Sequence, residues 1–389
     1  MLFLNHFATC YLKFANRPRC PLAGTGRPGY DCGLSTEAMI SMDKMLSVWK
    51  TAPKEGFELK EAPVPKIKDN EVLVKVKATS ICGTDMHIYG WDEWAQNRIG
   101  KNLPYIFGHE VAGEVVETGK AVSGIAVGDH VSAETHLSCG YCYQCRTGNE
   151  HICQNVKILG VDINGAFAEY LALPYRNAWV NDRNIPHWVA TAQEPLGNAV
   201  HTVFDGEVAG KVVTIFGMGP IGVCAVALCK AAGAEKVIAI DHHAGRLKFG
   251  KEFGADLTIS SSDGGDVRKQ IMDATNGLGA DVFLEMAGAP AAMNDGLATL
   301  RAGGRASILG VFPKSFEVDV TNHIVFKGIR LTGINGRKMF DTWYKTRSFL
   351  RSGKINLEKL VTHRFKLAEI GKGFDVLRKK EGMKVVLEP

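Results

Sequence analysis

Four cysteines lie close together between residues 139 and 153 of the 389-residue chain, in the segment CGYCYQCRTGNEHIC. The spacing C-x2-C-x2-C-x7-C suits a tetrahedral zinc ion, whose ligand set is then complete and has no position for a substrate. The pattern therefore indicates a structural metal site formed by Cys139, Cys142, Cys145 and Cys153. Disulfide bonds and an iron–sulfur cluster are the alternatives that the spacing leaves open.

A second set of residues that could bind a metal is spread over two nearby segments. The set contains Cys82, Thr84, Asp85 and His87 in SICGTDMHIYG (80–90), and His109 and Glu110 in FGHEVAGEV (107–115). One thiolate, one imidazole and one or two carboxylates suit zinc and leave a coordination position for water or substrate. The sequence therefore predicts a catalytic site here, although each residue taken singly is more often an ordinary core or surface side chain.

A glycine-rich turn follows an apolar run in VVTIFGMGPIG (212–222), where Gly217, Gly219 and Gly222 have the G-x-G-x-x-G spacing. Glycine permits the tight turn and the close approach of a pyrophosphate to the helix N-terminus. The next apolar run, KVIAID, ends in Asp241, which would accept hydrogen bonds from the adenosine ribose and repel a 2′-phosphate. NAD is therefore the predicted cofactor, and Arg246 nearby keeps NADP open as the alternative.

The elements that must position these residues differ between the two halves of the chain. Short alternating or apolar runs predict closely spaced strands at 71–80, 111–119, 129–135 and 167–174. From about Glu194, buried-strand runs alternate with helical stretches, which predicts a parallel sheet built from βαβ units. We therefore predict an α/β fold with a doubly wound parallel sheet of the Rossmann type and a second, mainly β domain.

Four segments are predicted along the chain. They are an extension at 1–44, predicted to be disordered, a mainly β catalytic domain at 45–193, an NAD-binding domain at 194–338 and a C-terminal segment at 339–389 that returns to the catalytic domain. The extension has basic residues but no acid before Asp31, as in organelle transit peptides, although serine is scarce. A start codon upstream of Met39, Met42 or Met45 is the other interpretation, and we predict a cytoplasmic protein.

Composition excludes several classes of function. A net charge of +5 over 389 residues, with acids and bases interspersed after the extension, gives no basic tract for nucleic-acid binding. The longest apolar stretch, at 211–234, is interrupted by glycine, proline and lysine, so no membrane span is predicted. Ten cysteines in so long a chain indicate reduced thiols, because disulfide scaffolds are usually small domains.

From Met45 to Pro389 the sequence resembles the zinc-containing medium-chain alcohol dehydrogenases. GHEVAGEVVETGKAVSGIAVGDHV is similar to the zinc signature of that family, and the four-cysteine segment and the dinucleotide motif follow in the family's order. CGTDMHIYGWDEW, EPLGNAVHTV and GINGRKMFDTWY resemble the members that oxidise L-threonine with NAD+. The resemblance implies a GroES-like catalytic domain, one catalytic and one structural zinc per subunit, and a homotetramer.

The resemblance also implies roles for individual residues. Cys82, His109 and Glu110 would hold the catalytic zinc, Glu194 would assist beside it, and Thr84 and His87 would relay the proton. The nicotinamide half of the cofactor would pass Leu309, Gly310, Val311, Ile334 and Asn335, and the other half Ile221, Asp241 and Arg246. The position of Asn335 varies in the family, because an aromatic or small polar residue is also common there.

Three residues are candidates for binding the amino-acid substrate. Glu194, His136 and Arg337 are candidates by position for holding the ammonium and carboxylate groups of threonine, and a surface ion pair is equally open for Arg337. A polyol or secondary-alcohol dehydrogenase of the same family is one alternative function. A non-catalytic dinucleotide-binding homologue is the other, although the retained set of potential ligands opposes it.

Overall fold

The computed structural model describes residues 44–100 and 102–389. The strands are β1 Lys44–Lys50, β2 Glu58–Pro63, β3 Glu71–Ile81, β4 Tyr105–Ile106, β5 Glu110–Thr118, β6 His130–Ala133, β7 His136–Leu137, β8 Lys157–Ile158, β9 Tyr170–Pro174, β10 Ala178–Val180, β11 Val212–Phe216, β12 Lys236–Asp241, β13 Leu257–Ser260, β14 Ala280–Glu285, β15 Leu300–Ile308, β16 Arg330–Gly333, β17 Val361–Lys366 and β18 Lys384–Glu388. The helices are α1 Gly83–Gly90, α2 Glu93–Ile99, α3 Tyr143–Arg146, α4 His187–Ala190, α5 Gln193–Val203, α6 Pro220–Ala231, α7 Ala244–Glu252, α8 Val267–Ala274, α9 Pro290–Thr299, α10 Asp341–Arg351 and α11 Ile370–Arg378. Short turns of 3₁₀ helix lie at Glu150–Ile152, Tyr175–Asn177, Glu358–Leu360 and Leu367–Glu369, and a π-helical turn lies at Thr321–Val325.

The first half of the described chain is mainly β. Its largest sheet has the strand order β10-β6-β5-β3-β18-β17, with β9 also paired to β3. Alternating valines of β3 pack into a buried cluster with Leu171 and Leu173 of β9, which explains why EVLVKVKATS forms a strand. In the pairing of β3 with β5, Ser80 lies opposite Glu110. This register brings the residue after β3 next to the start of β5.

The second half contains the parallel sheet. Its strand order is β13-β12-β11-β14-β15-β16, with every neighbouring pair parallel. This is the order of the doubly wound dinucleotide-binding fold, in which ligands bind beyond the carboxyl ends of the strands. The buried cluster on one face includes Val213, Val237 and Leu284, packed against the helix that follows the glycine-rich turn.

The C-terminal segment has two different neighbours. Helix α10 packs against α5, which follows directly on the mainly β half. Strand β18 pairs antiparallel with β3, and β17 pairs parallel with β18. The last strand, β18, therefore lies inside the sheet that contains β3 and β5. Its first residue, Lys384, lies near the end of β3.

The predicted fold class is confirmed, and the strands predicted at 71–80, 111–119, 129–135 and 167–174 correspond to β3, β5, β6 and β9. The predicted extension lies outside the described residues except for Lys44, which begins β1. Within the described ranges, every helix is too short or too polar to cross a membrane.

Candidate functional site

The four clustered cysteines form a compact tetrad. The Sγ atoms are 3.5 Å apart in Cys142–Cys145 and Cys139–Cys153, 3.7 Å apart in Cys142–Cys153 and 4.0 Å apart in Cys139–Cys145. A zinc ion with four thiolates at about 2.3 Å has sulfur–sulfur edges of about 3.8 Å. A disulfide would need about 2.05 Å. The geometry therefore fits a closed tetrahedral metal site, and the disulfide alternative is wrong.

Backbone N–H groups donate hydrogen bonds to sulfurs of the tetrad. The N–H groups of Cys139 and Asn155 each donate to Cys153 Sγ over 3.3 Å. A hydrogen bond from the Tyr141 N–H lowers the pKa of Cys139 to about 6. The pKa of Cys142 is also lowered, first by a backbone hydrogen bond, whereas burial raises the pKa of Cys145 to about 12. The thiolate, the form that binds a metal, is therefore favoured at Cys139 and Cys142 and not throughout the tetrad.

Cys82, His109 and Glu110 meet because β3 ends where β5 begins. Each can present one ligand atom that lies within 4.8 Å of the ligand atoms of the other two. His109 and Glu110 are buried, and Cys82 is partly exposed. One sulfur, one nitrogen and one oxygen donor make an incomplete set for tetrahedral zinc, which is the property of a catalytic site.

Asp85 lies behind His109. Its Oδ1 is 3.7 Å from His109 Nδ1, and its Oδ2 accepts a hydrogen bond of 2.8 Å from the N–H of Cys82. Burial alone lowers the pKa of His109, but the negative groups Asp85 and Cys82 outweigh it and raise the pKa to about 10. A carboxylate behind a metal-binding imidazole orients the ring and strengthens it as a ligand. At 3.7 Å Asp85 Oδ1 and His109 Nδ1 are not hydrogen-bonded, and both atoms are buried without a hydrogen-bond partner among the described residues. Asp85 therefore acts on His109 through its charge.

Lys384 is the partner of Glu110 that sequence reasoning missed. Its Nζ donates to both carboxylate oxygens over 2.7 Å, and the Ser80 hydroxyl donates to one of them. Burial opposes the charge on Lys384, but Glu110 outweighs it and raises the lysine pKa. Lys384 and Ser80 thus fix the orientation of the Glu110 side chain. No signal in KVVLE marks this lysine, because only the pairing of β18 with β3 brings it to the site.

Glu194 is tied to a second buried network centred on Arg337. The Arg337 side chain is only 1% exposed, and each of its nitrogens donates to a protein acceptor: Nε to Glu134, Nη1 to Glu194 and Asn198, and Nη2 to Glu134 and Thr135. Trp343 Nε1 also donates to Glu134 over 2.7 Å. The surface alternative for Arg337 is therefore wrong. Its donors are also engaged, so they are not free for a substrate carboxylate in this arrangement.

Thr84 and His87 lie one turn apart on α1, and they are not joined to each other. His87 is 55% exposed in its side chain, and its Nδ1 pairs with the Asp92 carboxylate. Across residues 44–100 and 102–389 there is no hydrogen bond between Thr84 and His87. A proton passing from one to the other would need an intervening group.

The glycine-rich turn has the shape that the motif predicts. Gly217 has φ +99°, which favours glycine, and a Cβ on Gly222 would collide with the Gly217 carbonyl. A Cβ on Gly219, at the N-cap of α6, would meet nothing within 4 Å, so the space beside the helix N-terminus is open. Ile221 follows in the first turn and is partly buried. The turn thus leaves room for a pyrophosphate at the helix N-terminus.

The predicted cofactor contacts share the carboxyl edge of the parallel sheet. Asp241 ends β12, and Oδ2 accepts from the N–H of Met218 over 2.7 Å while Oδ1 accepts from that of His243 over 2.8 Å. Leu309, Gly310 and Val311 follow β15, and Ile334 and Asn335 follow β16. Arg246 lies on α7, partly buried. Sequence reasoning missed Glu285, whose buried carboxylate accepts from the N–H groups of Ala287 and Gly288 and whose backbone carbonyl accepts from Leu309 N–H.

A parallel dinucleotide-type sheet and an open set of S, N and O ligands define a metal-dependent dehydrogenase, and comparison with known proteins agrees. Residues 68–183 match the family described as alcohol dehydrogenase GroES-like domain, and residues 220–352 match the family described as zinc-binding dehydrogenase. The chain is 50% identical over 345 residues to L-threonine 3-dehydrogenase of Pyrococcus furiosus, covering 88% of this chain and 98% of that protein. The chain therefore belongs to the zinc-binding alcohol dehydrogenase family.

Solved structures are similar over nearly their whole length. A short chain alcohol dehydrogenase of Escherichia coli CFT073, complexed with NADH, has a TM-score of 0.81 and 27% identity, covering 89% of this chain and 100% of that one. A zinc-binding dehydrogenase of Sinorhizobium meliloti 1021, bound to NADP, has a TM-score of 0.81 and 29% identity, covering 89% and 99%. The same fold thus accepts either cofactor.

Proposed function

We propose that this chain oxidises L-threonine with NAD+ to 2-amino-3-oxobutanoate, releasing NADH and a proton. The observation that carries the proposal is the open ligand set of Cys82, His109 and Glu110, in a chain 50% identical to an L-threonine 3-dehydrogenase over 98% of that enzyme. We also propose two zinc ions per chain, one at this open set and one at the cysteine tetrad. A bound zinc ion supplies a Lewis acid for the substrate hydroxyl, and NAD+ accepts the hydride.

Each residue of the site has a distinct part in this proposal. Cys82, His109 and Glu110 hold the catalytic metal, and Glu194 lies beside it as an assisting carboxylate held by Arg337. The Thr84 hydroxyl, which can both accept and donate, would take the substrate proton and give up its own proton to an intervening group, because it has no hydrogen bond to His87 in the ranges that the structure describes. His87 delivers a proton to solvent, since its imidazole is exposed and is oriented by Asp92.

His136 is the best remaining candidate for binding the amino-acid part of the substrate. Burial, followed by the charge of Arg337, lowers its pKa to about 4, so the ring is neutral near pH 7. Its Nδ1 is buried and has no hydrogen-bond partner in the described part of the chain. A neutral imidazole with a free nitrogen can donate to a carboxylate or accept from an ammonium group.

The cofactor half of the proposal depends on Asp241. A carboxylate at the end of β12 is the feature of the fold that bonds the ribose hydroxyls of NAD and repels the 2′-phosphate of NADP. One of the two similar solved structures binds NADH and the other binds NADP. The fold alone therefore does not determine which of the two cofactors is preferred. We place the cofactor along the carboxyl edge of the sheet, from Asp241 through Gly219 to Leu309 and Ile334.

The substrate assignment is tested by measuring NADH formation with L-threonine, D-threonine, sorbitol and 2,3-butanediol in parallel. We expect kcat/KM for L-threonine to exceed the others by about a hundredfold or more, because a site that binds polar groups rejects analogues lacking them. D-Threonine is the matched control, since it has the same groups with both the α-carbon and the hydroxyl-bearing β-carbon inverted. A preference for sorbitol or butanediol would assign the chain to the polyol and secondary-alcohol branch instead.

We further propose a homotetramer in which one interface uses the edge of the parallel sheet. Strand β16 is the outermost strand, with no further partner strand in the described ranges, and Leu331 on it is 45% exposed. Val325 and Phe326, just before it, are 63% and 76% exposed. An open apolar edge of this kind is a template for pairing with another strand, here one from a second copy.

Sedimentation velocity tests the oligomer. We expect a species with the mass of four 42.3 kDa chains, and a smaller one for Leu331→Glu, because the charge would be desolvated at the interface. Leu278→Glu is the matched control, since Leu278 is 71% exposed and distant in sequence from this edge. A single-chain species in the unmodified protein would contradict the proposal.

A further inference from the structure

We propose that Lys380 is a cofactor-selectivity residue, whose ammonium group is placed beside the ribose-binding acid by His242 and offsets the repulsion of a 2′-phosphate by Asp241. The proposal rests on the proposed function only in requiring a nicotinamide dinucleotide at the carboxyl edge of the sheet. It does not depend on the identity of the substrate.

Lys380, His242 and Asp241 form a continuous chain of contacts. Lys380 Nζ lies 3.1 Å from His242 Nε2, and His242 Nδ1 lies 3.4 Å from Asp241 Oδ1. One neutral tautomer serves both contacts, with Nδ1–H directed to the carboxylate and Nε2 accepting from the ammonium group. The imidazole thus holds a positive charge near the carboxylate without removing either charge.

The contact joins two parts of the chain that are far apart in sequence. His242 follows β12 of the parallel sheet, whereas Lys380 lies just after α11, between β17 and β18 of the first sheet. His242 and Lys380 are 138 positions apart. A charge from the C-terminal segment is therefore delivered to the predicted adenosine end of the cofactor site, which no local motif around Asp241 would reveal.

The backbone of Lys380 is set by the end of α11. It has φ +59° and ends α11 in the left-handed region, where glycine is the favoured residue. A lysine has to accept the unfavourable contact of its Cβ in this conformation. The conformation belongs to a regular helix end, in which the Lys380 N–H donates to the Leu377 carbonyl and the Glu381 N–H donates to the Val376 carbonyl, each over 3.0 Å. The end of α11 therefore fixes the point from which the lysine side chain reaches His242.

The negative charge of Asp241 is partly compensated by groups other than Lys380. Its two oxygens accept from the N–H groups of Met218 and His243, so part of its negative charge is directed into the turn. Arg246 on α7, five positions after Asp241, is a further cation besides Lys380. The acid therefore retains its preference for a ribose hydroxyl, while the surrounding cations weaken its repulsion of phosphate.

Cofactor binding without any substrate tests the proposal. Dissociation constants for NADH and NADPH are measured by fluorescence titration in the unmodified protein, in Lys380→Glu and in Lys379→Glu. We expect Lys380→Glu to raise the constant for NADPH about tenfold and that for NADH no more than about twofold, since the reversed charge acts mainly on the extra phosphate. Lys379 is the matched control, being the exposed neighbour of Lys380, and its variant should leave both constants within about twofold.

Lys380→Met removes the charge without reversing it, so it should shift the ratio of the two constants in the same direction by a smaller factor. Equal changes in both constants, or a ratio no different from that of Lys379→Glu, would overturn the proposal. Because no amino-acid substrate is present, failure of the L-threonine assignment leaves this result unaffected. Loss of all nicotinamide binding in the unmodified protein would overturn both.

Discussion

Replacing Cys82 by serine is expected to reduce kcat/KM on the order of a thousandfold while leaving the fold in place. Cys82 supplies the only sulfur of the open ligand set and is partly exposed beyond the end of β3, so the core does not depend on it. A Lewis acid contributes several kcal/mol to the transition state, and about 4 kcal/mol corresponds to a thousandfold. Turnover and zinc content per chain are the measurements, with circular dichroism to check the fold.

Cys142→Ser is the matched control, because it also exchanges one potential zinc-binding sulfur for oxygen. Cys142 is buried in the tetrad, within 3.7 Å of two other sulfurs, where a closed metal site contributes folding free energy. It should lower the melting temperature more than Cys82→Ser does, and affect turnover of the surviving protein less. Normal turnover in zinc-loaded Cys82→Ser, or an unchanged melting temperature with lost turnover in Cys142→Ser, would reverse the two assignments.

Replacing Arg337 by methionine should cost about 3 to 5 kcal/mol in the free energy of unfolding, the largest stability effect that we expect from one side chain. The substitution leaves Glu134 and Glu194 buried without their cation. Burial tends to raise the pKa of Glu134, but Arg337 outweighs it and lowers the pKa, so the acid is ionised and would lose its main compensation. Denaturant unfolding followed by tryptophan fluorescence measures the change.

Arg351→Met provides the control for Arg337→Met. Arg351 pairs with Asp182 at the surface, with 61% of its side chain exposed, and such pairs contribute about 0 to 1 kcal/mol. Arg337→Lys is also informative, because lysine restores the charge but cannot reproduce the forked contacts to both acids. It should recover only part of the loss. Equal stability of Arg337→Met and Arg351→Met would show that the buried network contributes nothing.

Local patterns in the sequence predict the fold well because its strands are specified locally. Apolar runs such as KVVTIFG and KVIAID need only their own composition to indicate buried parallel strands, and the turn after β11 has the glycines that its backbone requires. The cysteine tetrad is equally local, since its members lie within residues 139–153. Residues of such features that are close together in the sequence are also close together in the structure, so the sequence alone predicts them.

The partners of the site residues could not be predicted, because they arrive from distant segments. Lys384 reaches Glu110 only through the pairing of β18 with β3, and Arg337 reaches Glu134 across 203 positions. In sequence, a lysine at the start of a strand and an arginine in a loop look like surface residues. The prediction that Arg337 could form a surface pair was wrong for this reason. The roles proposed for Thr84, His87 and the cofactor contacts stay predictions.

The pairing of Glu110 with Lys384 also sets an order of events during protein synthesis. The two residues are 274 positions apart, which at 5 to 20 residues per second corresponds to about 14 to 55 seconds on the ribosome. We expect Glu110 to stay hydrated until the lysine has been made, because an unpaired carboxylate is costly to bury. We therefore expect the sheet that contains β3 and β18 to close around these potential metal ligands only after the whole nucleotide-binding half has been translated.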